Sequence, residues 1–381
     1  MIKYANRLNT VEEYYFSKKL REVKALMAQG KPVINMGIGS PDLPPPPEVI
    51  ATMQQAVHED GAHQYQSYQG IPEMRNAMAG FYHKNFNVKL NPDQEVLPLM
   101  GSKEGIMHIS MAFLNEGDEV LIPNPGYPTY TSVTRLVGAV AKPYDLTYEN
   151  DWYPDIEKLE SEDLTKVKVM WVNYPHMPTG TNARLDRLQE LIAFGERHNI
   201  LIVNDNPYSF VLNNNPMSIL QAAEGHTHVM ELNSLSKTFN MAGWRVGMLA
   251  GNSTHINAVL KVKSNMDSGM FYGIQKGAVV ALKSSADWYK NLNKIYNSRR
   301  EQVFKLAERL GCTYDEHSVG MFVWAKLPAN VKSAEDFIDK ILIEKDIFIT
   351  PGTIFGTNGE GYIRFSLCIP EEKIIEALNR F

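Results

Sequence analysis

The sequence predicts an α/β protein in which a large domain is built on a mostly parallel sheet and a small α+β domain is attached to it. Three observations carry that expectation. From about residue 95 to 251, short apolar runs alternate with longer amphipathic segments, the rhythm of strand–helix–strand crossovers and of a parallel sheet covered on both faces. Beyond residue 251 helical segments dominate to about residue 311, and the last stretch alternates strands with helices again. The third is size: 381 residues, 44% hydrophobic and 21% charged, bury a sizeable core and at this length usually divide it.

Residues 1–44 read as an N-terminal arm that contributes to the small domain, with the aromatic run Tyr14-Tyr15-Phe16 as a core or dimer contact of its helix. The cluster Pro44-Pro45-Pro46-Pro47 is a stiff connection into the large domain, expected over 45–288. There the apolar runs 95–100, 119–123, 167–174, 200–204, 229–233 and 246–250 read as buried strands, and 185–198 as one of the helices between them. The small domain takes 289–381, with strands at 321–327, 347–350 and 362–367 and helices at 334–344 and 371–380.

A net charge of −5, from 38 Lys+Arg against 43 Asp+Glu, excludes a globally basic nucleic-acid binder. Two cysteines, Cys312 and Cys368, are too few for a disulfide framework and lack metal-ligand spacing, which fits a reducing compartment. The start Met1-Ile2-Lys3-Tyr4 has no apolar signal region, and no apolar run reaches spanning length, so a cytoplasmic protein with no membrane partner is expected. His58 with His63, and His226 with His228, lack a third ligand and read as loop histidines; no metal is expected. Gly37-x-Gly39 is followed by Pro41 and opens no crossover helix, so it is not a dinucleotide fingerprint.

The densest chemical signal is Asn233-Ser234-Leu235-Ser236-Lys237-Thr238-Phe239-Asn240-Met241-Ala242-Gly243-Trp244-Arg245-Val246-Gly247, a polar loop between apolar strands. Small hydroxyl residues flank Lys237 and Arg245 follows eight residues later, as a site holding a phosphorylated aldehyde through an imine requires. A lone Ser-Lys pair would read as a surface turn, but three further segments outweigh that reading. In Asn204-Asp205-Asn206-Pro207-Tyr208, Asp205 ends a buried strand, where ligands bind in open α/β sheets. A carboxylate there can keep a pyridine nitrogen protonated, although alone it would read as a helix cap. Gly101-Ser102-Lys103-Glu104-Gly105 is a small-residue turn into a helix whose free N–H groups can bind phosphate. Asn173-Tyr174-Pro175-His176-Met177-Pro178-Thr179-Gly180 is a rigid two-proline turn at another strand's end.

Together these segments resemble the fold type I pyridoxal-phosphate enzymes, specifically the class I/II aminotransferases. The likeness extends through Gly37-Ile38-Gly39-Ser40-Pro41-Asp42, Tyr65 with Gly70-Ile71-Pro72-Glu73-Met74-Arg75, Pro125-Gly126-Tyr127-Pro128 and Gly361-Tyr362-Ile363-Arg364. Lys263-Ser264-Asn265-Met266-Asp267-Ser268-Gly269-Met270-Phe271, Gly101-Ser102-Lys103-Glu104-Gly105 and the run from Lys237 to Arg245 look most like the L,L-diaminopimelate aminotransferase group and its alanine- or aspartate-using relatives. The resemblance implies an aspartate aminotransferase-like fold, pyridoxal 5'-phosphate as cofactor, and transfer of an amino group between an L-amino acid and a 2-oxo acid in two half-reactions.

The same resemblance implies roles. Lys237 is similar to the Schiff-base lysine and proton shuttle, Asp205 to the partner of the pyridine nitrogen, Tyr208 to a donor to the phenolic oxygen, and Tyr127 to the residue stacked on the ring. Ser102, Lys103, Ser234 and Arg245 match the phosphate cradle. Tyr65 matches a tyrosine that reaches the neighbouring subunit's phosphate, which implies a homodimer with shared sites. Gly39, Met177 and Arg364 fall to the substrate, with Arg364 taking its α-carboxylate in a planar fork. The chain departs from the family pattern at Met177, where an asparagine usually donates to the phenolic oxygen; losing that bond costs on the order of 1 kcal/mol. Two other readings stay open: a C–S β-lyase of the same fold, and a non-catalytic cofactor-binding regulatory module. Against the latter stand the net charge and the lack of a helix-turn-helix before the arm.

Overall fold

Strands covered on both faces need apolar side chains at successive positions, and segments such as Leu121–Ile122 and Met170–Val172 supply them to opposite sides in turn. In the computed structural model, which describes residues 2–11 and 15–381 except the side chains of residues 15 and 16, these segments assemble into three sheets. The aromatic run Tyr14-Tyr15-Phe16 therefore lies outside the described side chains. The strands are β1 (Ile34–Asn35), β2 (Val96–Leu99), β3 (Glu119–Asn124), β4 (Val140–Asp145), β5 (Val167–Val172), β6 (Leu201–Asp205), β7 (Val229–Ser234) and β8 (Gly247–Gly251). They are followed by β9 (Thr313–Tyr314), β10 (Phe322–Lys326), β11 (Ile347–Phe348), β12 (Thr350–Pro351) and β13 (Tyr362–Ser366).

The seven-stranded sheet has the order β2-β8-β7-β6-β5-β3-β4. Strands β7, β6, β5, β3 and β4 are parallel, while β8 runs antiparallel to both of its neighbours, β7 and β2. The pleat sends Val169 and Trp171 into one core layer, with Leu232, Leu249 and Ile106, and Met170 and Val172 into another, with Leu188 and Ile192. Sequence pattern did not predict β4, because Lys142 and Pro143 interrupt its apolar run. Its place at the sheet's edge explains how the proline is tolerated.

This topology brings the carboxyl ends of β2, β3, β5, β6 and β7 to one edge of the sheet. Since β8 runs the other way, its amino end, just after Arg245, arrives at the same edge. That edge is where open α/β sheets place their ligands.

A four-stranded antiparallel sheet of order β12-β13-β10-β9 and the parallel pair β1-β11 make up the remainder. The expected strand at 347–350 is thus two short strands in different sheets. Pairing of Ile34 with Ile347 and of Asn35 with Phe348 joins the N-terminal segment to the C-terminal part of the chain. The boundary expected at 288/289 falls inside a continuous helix, Ala286–Arg309.

From that helix Arg299, only 4% exposed, reaches Asp42 with both terminal nitrogens, at 2.7 and 2.8 Å, and also donates to the Leu367 carbonyl at 2.9 Å. The pair ties the proline-rich connection to the C-terminal region, just behind the segment that enters the site. Asp42→Ala leaves a buried guanidinium without its counter-charge, which costs about 3 kcal/mol. A lowered midpoint of urea unfolding checks this; an unchanged midpoint contradicts it.

Candidate active site

A cavity of about 360 Å³ opens at the carboxyl edge of the seven-stranded sheet. Its floor comes from the strand ends. Asn173 follows β5, Asp205 ends β6, Ser234 ends β7, and Ser102 begins a helix, Ser102–Phe113, one turn after β2. Gly39 and Arg364 enter from the other side, on the segment after β1 and on β13.

Asp205 is 5% exposed, with one carboxylate oxygen satisfied and one not. Tyr130 donates its hydroxyl to Oδ2 at 2.9 Å, whereas Oδ1 has no hydrogen-bond partner. Burial pushes this carboxyl up to about 7, against the Tyr130 hydrogen bond, which favours the charged form. Tyr130 is itself fixed by stacking on Trp171, with centroids 5.1 Å apart and planes 6° from parallel, and its edge meets Tyr127 at 5.6 Å. Asn173 knits the strand ends together: its amide donates to the Asp205 carbonyl, and its oxygen accepts from Met177 N at 2.9 Å.

Lys237 sits in the short helix Leu235–Thr238 that follows β7, and its Nζ donates to the Gly39 carbonyl at 2.5 Å. Burial lowers its pKa, and the positive charges of Arg364 and Arg245 act in the same direction. Tyr208 borders the same space with its ring edge-on to Phe322, centroids 5.9 Å apart.

At the far end, glycine geometry makes an anion cradle. Gly101 has φ +89°, and a Cβ there would lie 2.3 Å from Arg245 Nη2, so only glycine lets the guanidinium lie across the helix start. A Cβ on Gly247 would likewise come within 2.7 Å of Ser102 N. The first turn of a helix presents N–H groups with no intrahelical acceptor, and Ser102, Lys103, Ser234, Ser236 and Arg245 surround this one. Ser234 Oγ also accepts from Ser236 N at 3.1 Å, which fixes the loop that carries Lys237.

Arg364 is 4% exposed and held from several sides. Nη2 donates to the Gly37 carbonyl at 2.8 Å, Nη1 meets the Met177 sulfur at 3.4 Å, and the guanidinium carbon lies 3.9 Å from the Phe322 ring centroid and 4.7 Å from that of Phe355.

The chain matches the profile described as Aminotransferase class I and II over residues 31–381. The chain belongs to the class I and II aminotransferases. It is 39% identical to the LL-diaminopimelate aminotransferase of Dehalococcoides mccartyi over 381 residues, covering 100% of this chain and 98% of that protein. The apo structure of BacF from Bacillus subtilis superposes with a TM-score of 0.95 at 34% identity, covering 100% of this chain and 98% of that one. A Thermus thermophilus aspartate aminotransferase mutant, at TM-score 0.92 and 24% identity over 100% of this chain and 99% of that one, shares the fold.

Aminotransferases of this class use pyridoxal 5'-phosphate, and the residues of this one fit it. The partnerless oxygen of Asp205 suits a protonated ring nitrogen, the cradle at Ser102 suits a phosphate, and Lys237 offers a buried amine between them. The likeness to named aminotransferases gives no support to a lyase or a regulatory module.

Of the residues singled out from the sequence, Gly39, Ser102, Lys103, Tyr127, Met177, Asp205, Tyr208, Ser234, Lys237, Arg245 and Arg364 all line the cavity. Tyr65 does not; it is 90% exposed. Sequence reasoning missed Tyr130, Phe322 and Phe355, and assigned Asn173 no role. Tyr130 lies three residues after Tyr127 on the helix Thr129–Leu136, and that spacing is the available clue. Away from the cavity, Glu104, His108 and Asp267 bring potential ligand atoms within 4.8 Å of one another, but the Lys263 ammonium already pairs with Asp267.

The Asp205 carboxyl sets a pH dependence in the cofactor-free protein. Its stabilising contribution is complete below the ordinary value of 3.8 and is lost as the pH rises through about 7, because over that window the folded state holds a proton that the unfolded chain has released. Asp205→Asn should flatten this fall when urea midpoints are compared across the window. Parallel profiles for the two proteins would contradict the assignment.

Proposed function

We propose that this aminotransferase works through a division of labour in which Lys237 moves the proton, Asp205 holds the cofactor's charge state and Arg364 places the amino acid. What supports the reading above all is that a buried amine, a partnerless carboxylate oxygen and a buried guanidinium converge on one cavity. When bound, pyridoxal 5'-phosphate supplies an electron sink for the charge left at the donor's Cα and carries the nitrogen between the two half-reactions.

The chain's own residues do the rest. Lys237 Nζ, whose charged form burial disfavours, takes the proton from the donor's Cα and delivers it to the cofactor's C4′. Asp205 Oδ1 would accept a hydrogen bond from a protonated ring nitrogen, while Tyr130 holds the carboxylate through Oδ2. Tyr208 would give its hydroxyl to the phenolic oxygen and Tyr127 would cover the ring. Ser102, Lys103, Ser234 and Arg245 hold the phosphate, and Arg364 takes the α-carboxylate beside Gly39 and Met177. Buried at the Arg364 side, Met177 has a thioether where an amide donor is usual, which among the described residues would leave Tyr208 as the evident donor to the phenolic oxygen.

The reading extends to a homodimer in which exposed Tyr65 serves the partner's phosphate, to a cytoplasmic setting, and to a division into an arm (1–44), a cofactor domain (45–288) and a small domain (289–381). Among the described residues no helix is long and apolar enough to cross a membrane.

Borohydride reduction of the loaded protein should fix the cofactor on Lys237, as peptide mapping reads directly; a label on another lysine contradicts the assignment. For the dimer, mixing Tyr65→Phe and Lys237→Ala protomers, each severely impaired alone, should restore part of the activity. A fully active monomer in sedimentation would refute the shared site.

A further inference from the structure

Among the described residues, the side chains that lie against the Arg364 guanidinium are apolar to an extent that the chemistry of α-carboxylate binding does not require. Phe322 and Phe355 lie against its guanidinium, the Met177 sulfur touches Nη1, and Leu20 and Ile38 line the same cavity. The Phe322 ring cannot readily withdraw: Gly39 packs on it so closely that a Cβ would lie 2.3 Å from the ring's Cζ, and Tyr208 meets it edge-on. The other cations along the cavity have separate positions. Lys103 and Arg245 lie at the start of the helix Ser102–Phe113, and Lys237 is held at the Gly39 carbonyl.

We propose that the preferred amino donor is an L-amino acid with an apolar, uncharged side chain, selected by Leu20, Ile38, Met177, Phe322 and Phe355 around the carboxylate site at Arg364. The proposal rests on the aminotransferase reading and on the role given to Arg364 above. The proposal puts the α-carboxylate on Arg364, the amine toward Lys237 and the side chain against this wall. An apolar side chain gains free energy by leaving water there, whereas a second carboxylate, or the amino-carboxylate that ends the side chain of LL-diaminopimelate, gives up its hydration. Selection of this kind separates the chain from the substrate for which its relatives are named.

Two measurements on the loaded enzyme test this. Calorimetry with unreactive carboxylates compares 3-phenylpropionate and 4-methylpentanoate with pentanedioate, which reads side-chain preference without any turnover. Absorbance of the bound cofactor on mixing with L-phenylalanine, L-leucine, L-glutamate or LL-diaminopimelate reads the first half-reaction. The apolar ligands should bind about 10-fold more tightly or better, and the apolar donors should react with an efficiency at least about 10-fold higher. Ile38→Arg, which places a cation on the wall, should narrow the gap in the binding experiment. Equal or tighter binding of pentanedioate, or a higher efficiency with glutamate or LL-diaminopimelate, would overturn the proposal and leave the aminotransferase reading intact. A loaded enzyme that no L-amino acid converts would overturn both.

Discussion

A carboxylate buried with one oxygen lacking a partner is costly, and the site is arranged around that cost at Asp205. The strand β6 carries it to the sheet edge, Tyr130 satisfies Oδ2, and Trp171 fixes Tyr130 by stacking from the neighbouring strand. Oδ1 is left buried without a partner, on a residue that lines the cavity. Without a cationic partner the group resists ionisation, because burial pushes its carboxyl up to about 7. On the reading proposed above, a protonated ring nitrogen would relieve this cost, and binding the cofactor would go together with fixing its charge state.

The remaining parts can be traced to the direction of a single strand. Because β8 runs antiparallel to β7, the chain leaves the sheet after Ser234, passes through Lys237, and re-enters after Arg245 at the same edge. One loop thereby carries both the Lys237 amine and the Arg245 guanidinium proposed to hold the phosphate. The left-handed backbone at Gly101 then makes room for the Arg245 side chain over the helix start. On the opposite wall, Lys237 and Arg364 are each tied to backbone carbonyls of the segment after β1, at Gly39 and Gly37. That segment is in turn held by the Asp42–Arg299 pair. Arg364 and Lys237, the residues proposed to anchor the substrate and carry the proton, are thus referenced to the same short stretch of chain.

Much of this was legible in the sequence because the site's polar and hydroxyl residues stand at or just beyond the ends of apolar strands. Lys237, Asp205, Ser102 and Ser234 all stand at such places, and the buried strands themselves follow from unbroken apolar runs. What was not legible has physical reasons. An apolar run carries no direction, so the antiparallel course of β8 could not be read from Gly247–Gly251. Lys142 and Pro143 hid β4, since an edge strand need not be apolar throughout. Tyr130 looks like any aromatic on the buried side of a helix, and its bond to Asp205 exists only because the sheet brings β6 beside it. Phe322 and Phe355 lie far along the chain from Met177 and gain their meaning from packing on Arg364, which no local pattern encodes.

If Asp205 Oδ1 sets the cavity's charge state, it also fixes the protonation of the bound cofactor's ring nitrogen. Nitrogen NMR of protein loaded with ¹⁵N-ring-labelled pyridoxal 5'-phosphate reads that protonation. A protonated ring nitrogen is expected at neutral pH in the native protein, and its loss in Asp205→Asn. An unprotonated nitrogen in the native protein, or the same chemical shift in both, would contradict that role of Asp205.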